Sequence, residues 1–137
     1  MYSVLLADDE KWVLYGLTRL IRWEDYGFVV SDAARDGTEA LQKVLGNPPD
    51  LLISDIRMPD IGGLELLQSL RQAGNETVVV FISGYSDFEY TQQAIRLGAF
   101  DYLLKQVEAE ELTVTLRRAK EYLDSHKRNA LPDTGLP

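Results

Sequence analysis

Three acids stand in a row at Asp8-Asp9-Glu10, directly after the apolar tetrapeptide Val4-Leu5-Leu6-Ala7. Other polar residues close apolar runs in the same way: Asp55 in LLISDIRMP, Ser83 in VVVFISGYS and Lys105 in DYLLKQV. Adjacent carboxylates repel, by ~4 kcal/mol for a pair ~4 Å apart at an effective dielectric near 20. A chain that places such a pair at the end of a buried strand needs something to neutralise it. A hard divalent cation does so, and magnesium takes a few carboxylate oxygens, several waters and phosphate oxygens. A lysine and a hydroxyl facing that cation can bind the oxygens of a phosphoryl group. An aspartate in the same cage can accept the phosphoryl covalently. Taken singly, each residue has a plainer reading. Acids after a strand are commonly turn residues or helix N-caps, Ser83 is a strand-end hydroxyl bonded to backbone, Lys105 a solvated lysine and Tyr102 a packing residue. The lone His126 lies in a charged helical segment and receives no role. The chemistry rests on the agreement of four strand ends, and therefore on a fold that brings them together.

The elements needed for that are present. Apolar runs at Val4–Ala7, Phe28–Val30, Leu51–Ile53, Val78–Ile82 and Tyr102–Leu104 are mostly continuous rather than alternating, as in strands covered on both faces. Between them lie segments of helical spacing: Val13, Leu17, Leu20 and Ile21; Ala40, Leu41, Val44 and Leu45; Leu64, Leu67 and Leu70; and finally Leu112, Leu116, Ala119 and Leu123. A fourth helix, about Asp87 to Leu97, has a thin apolar face of Phe88, Thr91 and Ile95, and Ser86-Asp87-Phe88-Glu89 at its start reads as a capping box. Gly37, Asn47-Pro48-Pro49-Asp50, Gly62-Gly63 and Gly74-Asn75 punctuate the units. Strict β-α alternation predicts an α/β fold with a doubly wound, five-stranded parallel sheet and five helices. The flavodoxin-like strand order 2-1-3-4-5 is expected. In that order strands one and three meet at the switch point, so Asp8, Asp9 and Asp55 converge, with Ser83 and Lys105 on the far wall. Strand two, ending at Asp32 and Ala33, lies at the edge and contributes least.

The 137 residues suit one domain, carrying 14 basic against 22 acidic side chains for a net charge of −8. That balance argues against direct nucleic-acid binding, which needs a basic footprint, and against anionic membrane surfaces. Cysteine is absent, so neither a disulfide framework nor a zinc-thiolate site is available. The apolar run after Met1 is too short for a signal peptide. The default expectation is a soluble, cytoplasmic domain over residues 1–126. Residues 127–137, ending RNALPDTGLP, are expected to be a disordered tail or linker stump.

DDE after strand one, DIRMP after strand three, SG after strand four and K after strand five resemble the receiver domain of bacterial two-component response regulators, over about residues 2–125. RWEDYGF and SGYSDFEYTQQAIRLGAFDYLLK look like the branch with AraC-type helix-turn-helix effectors. The resemblance implies that Asp55 is the phosphoacceptor, and that Asp9, Asp55 and the backbone carbonyl of Arg57 bind Mg2+, with Asp8 acting through metal-bound water. It also implies that Lys105 pairs with a phosphoryl oxygen, that Ser83 moves to another, and that the Tyr102 rotamer follows. Arg57 and Tyr85 would flank the path of the water that removes the phosphoryl, and as large side chains unsuited to orient water they would make its loss slow. The implied partners are a sensor histidine kinase, a second copy of the chain on phosphorylation, and DNA only through an effector that does not follow here; no membrane is implied. The implied output is a shift of the helix 4, strand 5 and helix 5 face that controls transcription.

Two positions depart from the family's pattern: Gly62, where Asp or Asn is usual before the helix-three glycine, and Gln106, where proline usually follows the lysine. A cis bond is cheap before proline and costs ~2.5–4 kcal/mol before any other residue. A trans Lys105–Gln106 peptide is therefore expected, with a rearranged loop over residues 106–108. Two alternatives compete. A Mg2+-dependent aspartyl phosphohydrolase would need a second acid and a cap, for which the chain is short. A degenerate receiver that only binds a partner would lack an acid or the lysine, and none is missing.

Overall fold

The computed structural model describes residues 1–84 and 88–130, without the side chains of Phe88 and of residues 128–130. Five β-α units follow in order: β1 Tyr2–Ala7, α1 Lys11–Leu20, β2 Phe28–Ala34, α2 Gly37–Gly46, β3 Leu51–Asp55, α3 Gly63–Gln72, β4 Val78–Ser83, α4 Phe88–Arg96, β5 Asp101–Leu104 and α5 Ala109–Ala130. A 3-10 turn, Trp23–Tyr26, leads into β2. All strand pairs are parallel and the order is β2-β1-β3-β4-β5, as expected.

The continuous apolar runs are explained by two cores, one on each face of the sheet. Val4, Leu6, Leu51, Ile53, Val80 and Ile82 pack against Leu14 and Leu17 of α1 and Leu112, Leu116 and Ala119 of α5. The intervening residues Leu5, Ala7, Leu52, Val79 and Phe81 pack against Ala40 and Val44 of α2, Leu66, Leu67 and Leu70 of α3, and Ala94 of α4. Period-two alternation thus feeds both layers, so every residue of β3 and β4 is buried. At ~25 cal/mol per Å² of apolar surface, this two-sided burial is the main term holding the sheet.

Several details depart from the sequence reading. The second strand continues past Val30 to Ala34. As the edge strand it is exposed at Val29, Ser31 and Asp32, so a search for continuous apolar runs stops early. On α4 the inward residues among the described side chains are Thr91 and Ala94, whereas Ile95 is 45% exposed and faces away from the core; the Phe88 side chain, also expected on the inward face, is not among those described. Ser86 and Asp87 of the capping box expected at its start lie outside the described residues. Helix α5 runs through Ala130, four residues past the expected domain end at 126, and residues 131–137 lie outside the described residues. No helix among the described residues is long and apolar enough to cross a membrane.

Gly63 shows how closely the loop after β3 is held. A Cβ there would lie 2.6 Å from Phe81 Cε1 and 2.9 Å from Ile56 Cα, while its N–H donates to Ile56 O at 2.8 Å. The loop is also tied sideways. Asp60 accepts from the N–H groups of Gly37 and Thr38, at 2.9 and 2.8 Å, at the start of α2. Bonds from the Thr38 side chain and from these amides hold the Asp60 carboxyl below the usual carboxylate range.

Candidate phosphoacceptor site

Register fixes the site before any side chain is considered. Ala7 pairs with Ser54, so Asp8, the next residue of the first chain segment, emerges beside Asp55. Asp55 pairs with Ile82, so Ser83 lies one step beyond it on the next strand. Ser83 pairs with Leu104, and the N–H of Lys105 donates to Ser83 O at 2.8 Å. The carboxyl ends of β1, β3, β4 and β5 therefore share one edge.

Asp8 and Asp55 are each 1% exposed, whereas Asp9 and Glu10 are open to solvent. Asp8 Oδ1 accepts from the Glu10 N–H at 2.9 Å. Asp8 Oδ2 is buried with no hydrogen-bond partner among the described residues. Burial, added to the Asp55 and Asp9 charges and only partly offset by the Glu10 N–H and Lys105, pushes the Asp8 carboxyl up to about 6. Asp55 Oδ1 accepts from the Arg57 N–H at 3.1 Å, and Asp55 Oδ2 lies 3.3 Å from Lys105 Nζ. Burial raises the Asp55 carboxyl too, against the opposing pull of the Arg57 N–H and the Lys105 ammonium. Burial alone would lower Lys105, but the Asp55 carboxylate outweighs it and leaves the ammonium raised. A cation reaching 43% side-chain exposure from the far wall is thus drawn to a carboxylate that is otherwise dry.

One carboxylate oxygen from each of Asp8, Asp9 and Glu10 lies within 4.8 Å of the others. An oxygen-only donor set of this kind fits a hard cation such as Mg2+. The unpartnered Asp8 Oδ2 is the independent mark of that fit, because a buried charged oxygen left without a partner is costly. The acids of the strand-one motif are the ones the cluster contains, and Glu10, to which the sequence reading gave no ligand role, is among them. Glu10 is also held by Trp12, whose indole N–H donates to Glu10 Oε2 at 2.9 Å.

The remaining residues fall as follows. The Arg57 backbone is beside Asp55, and its guanidinium reaches across to α4, 5.1 Å from the centre of the Tyr90 ring. Ser83 Oγ is not turned to solvent but accepts a hydrogen bond from Thr91 Oγ1 at 3.2 Å. Tyr102 is 41% exposed and lines a groove of about 340 Å³ with Thr91, Gln92, Ile95 and Arg96. Tyr85 lies outside the described residues. The Lys105–Gln106 peptide is trans, there being no cis bond among the described residues, and Gln106 has φ +59°. That left-handed turn is the form taken by the expected loop rearrangement. Sequence reasoning had no signal for it, nor for the Tyr90 and Thr91 contacts, which depend on how α4 is rotated.

Comparison with known proteins gives the family and the fold. The family model described as response regulator receiver domain matches residues 4–117. The transcriptional regulatory protein HptR of Staphylococcus aureus is 38% identical over 130 residues, covering 94% of this chain and 51% of that protein. YesN of Bacillus subtilis, an uncharacterized transcriptional regulatory protein, is 34% identical over 131 residues, covering 93% of this chain and 36% of its own length. The chain thus spans about half, or less, of these curated relatives. Among solved structures, the REC domain of AraT, a response regulator from Geobacillus stearothermophilus, superposes with a TM-score of 0.85 at 36% identity, covering 92% of this chain and 98% of that one. A two-component transcriptional regulator AraC from Clostridium phytofermentans gives 0.84 at 35% identity, covering 93% and 98%.

Proposed function

Because the chain belongs to the response regulator receiver domain family, we propose that it takes a phosphoryl group from a sensor histidine kinase onto Asp55 and passes the change on through α4, β5 and α5. The observation that carries this reading is the ion pair of buried Asp55 with Lys105, 3.3 Å apart, at the edge where Asp8, Asp9 and Glu10 follow β1. In the transfer, an Asp55 oxygen forms a bond to phosphorus as the bond from phosphorus to the donor histidine nitrogen breaks. Asp55 must be ionised to attack, and the Lys105 ammonium favours that form against the effect of burial. After transfer the same ammonium is placed to pair with a phosphoryl oxygen, and the Arg57 N–H holds the carboxyl in orientation.

Asp9, Asp55 and the Arg57 carbonyl would hold Mg2+, with Asp8 through water and Glu10 as a further oxygen at the cluster. When bound, the cation would neutralise charge on the carboxylates and phosphoryl oxygens. Ser83 would turn to a phosphoryl oxygen, and Tyr102, beside the α4 groove, would follow. Arg57, spread toward Tyr90, and Tyr85 would restrict the water that removes the phosphoryl. The setting this implies is cytoplasmic, with a second copy of the chain as the partner of the phosphorylated form and a transcriptional effector as the output, in line with what the curated relatives are named.

The test is intact mass after incubation with acetyl phosphate and Mg2+. The parent gains one phosphoryl group and Asp55→Asn gains none. Stoichiometric labelling of that variant would sink the assignment, and steady turnover of an ordinary phosphomonoester would point to a phosphohydrolase instead.

A further inference from the structure

Ser83 has little freedom. Its backbone is fixed by the pairing with Leu104 and by the bond from the Lys105 N–H, so its hydroxyl can move only by rotation about χ1 between staggered wells. In the structure that hydroxyl is engaged by α4. Ser83 is 1% exposed, Thr91 is 4% exposed, and Thr91 Oγ1 donates to Ser83 Oγ at 3.2 Å. Thr91 is also a poor choice for the helix alone, since a β-branched residue loses side-chain freedom there and alanine does not. It sits on the inward side of α4, three residues before the buried Ala94. On its other side Thr91 lines the groove that Tyr102 borders. One hydroxyl therefore stands between the end of β4 and the wall that carries Tyr102.

We infer that Thr91 is a positioning residue, which holds the Ser83 hydroxyl on the α4 side and so opposes its turn toward a phosphoryl group on Asp55. The inference rests on the phosphoacceptor reading given above. Its physical content is a competition. Ser83 can accept from Thr91 or serve the phosphoryl group, and the χ1 rotation that gives one forfeits the other. A hydrogen bond between buried neutral groups, lost without replacement, shifts such an equilibrium about fivefold. Thr91 thereby sets how much of the chain resembles the phosphorylated form before any phosphoryl arrives.

The experiment uses beryllofluoride with Mg2+ as the phosphoryl mimic, read by the fluorescence of Trp12, which is bonded to Glu10 at the site. Thr91→Val keeps the shape and removes the hydroxyl. It is expected to bind the mimic about fivefold more tightly than the parent. Thr91→Ser restores the hydroxyl and is expected to return to the parent's affinity, which mere packing effects would not produce. Equal affinity in parent and Thr91→Val, or failure of serine to restore it, overturns the inference. Should the valine variant not fold, the parent alone decides. The nuclear Overhauser contact between the Ser83 β-protons and the Thr91 side chain is expected to vanish on saturation with the mimic, and its persistence overturns the inference. Labelling of the parent by acetyl phosphate, run alongside, separates the two levels. A labelled parent with unresponsive Thr91 variants removes only Thr91's role, whereas a parent that takes neither label nor mimic removes the phosphoacceptor reading and this inference together.

Discussion

Asp8 concentrates the electrostatic problem of the site in one side chain. It is buried, one oxygen has no partner among the described residues, and its carboxyl is pushed up to about 6 from an ordinary value of 3.8. A carboxyl whose folded value lies above its unfolded one destabilises the fold once it must ionise. The penalty is absent below about pH 4, grows between about 4 and 6, and is complete above that window. Asp8→Asn in chelator is therefore expected to melt a few degrees above the parent at pH 7.5, corresponding to ~1 kcal/mol or more. The advantage should shrink as pH falls toward 5, because the parent's carboxyl then becomes neutral as well. Thermal melts of both proteins across that range check it, and a difference that stays constant with pH would show that charge is not the cause. Asp55 escapes the same problem only in part, because Lys105 and the Arg57 N–H each take one of its oxygens.

At the scale of elements, the loop from β5 to α5 shows how a local conformation replaces a missing residue type. With glutamine after Lys105 the peptide is trans and the chain turns through φ +59° at Gln106. A left-handed non-glycine residue costs ~1–2 kcal/mol, which glycine largely avoids. Gln106→Gly is thus expected to be more stable than Gln106→Ala by ~1 kcal/mol, with both still labelled by acetyl phosphate. Chemical denaturation of the pair measures this, and equal midpoints would mean the turn is not left-handed in solution. Proline is a different case, since its ring locks φ near −65° and Gln106→Pro must rebuild the turn that now aims Lys105. The loop after β3 is held by other means, with Gly63 against Phe81 and Asp60 across the start of α2. The loop after Asp55 is therefore tied to its neighbours on two sides, whereas among the described side chains of α4 the buried ones are the small Thr91 and Ala94. An element whose described inward side chains are so small is a natural place for movement.

For the whole molecule, the net charge of −8 and the acids gathered at one sheet edge are the reason to expect a response to divalent cations. Mg2+ at 100 times its dissociation constant is expected to stabilise the parent by ~2.7 kcal/mol, and Asp9→Ala should respond much less. A melting temperature indifferent to millimolar Mg2+ would remove the metal site. The fold class and strand order were legible in the sequence because a parallel sheet covered on both faces writes itself as continuous apolar runs, and β-α alternation leaves few topologies. Asp8, Asp55, Ser83 and Lys105 were legible for a related reason: parallel strands all end at the same edge, so the residue after each run is a neighbour in space. The limits were equally physical. Half of β2 was missed because an edge strand is partly solvated, and Ile95 was assigned inward because a nine-residue helix with so short an apolar stripe admits more than one rotation. That rotation is set by packing against α3 and β4. It alone decided that Thr91 meets Ser83 and that Tyr90 meets Arg57, just as the path of the chain between β5 and α5 decided the left-handed turn at Gln106. The sequence by itself determined which residues stand at the sheet edge, through local periodicity. Which of them touch was decided only in the tertiary structure, because contacts between side chains far apart in the chain depend on helix rotation and loop course, and neither has a local period.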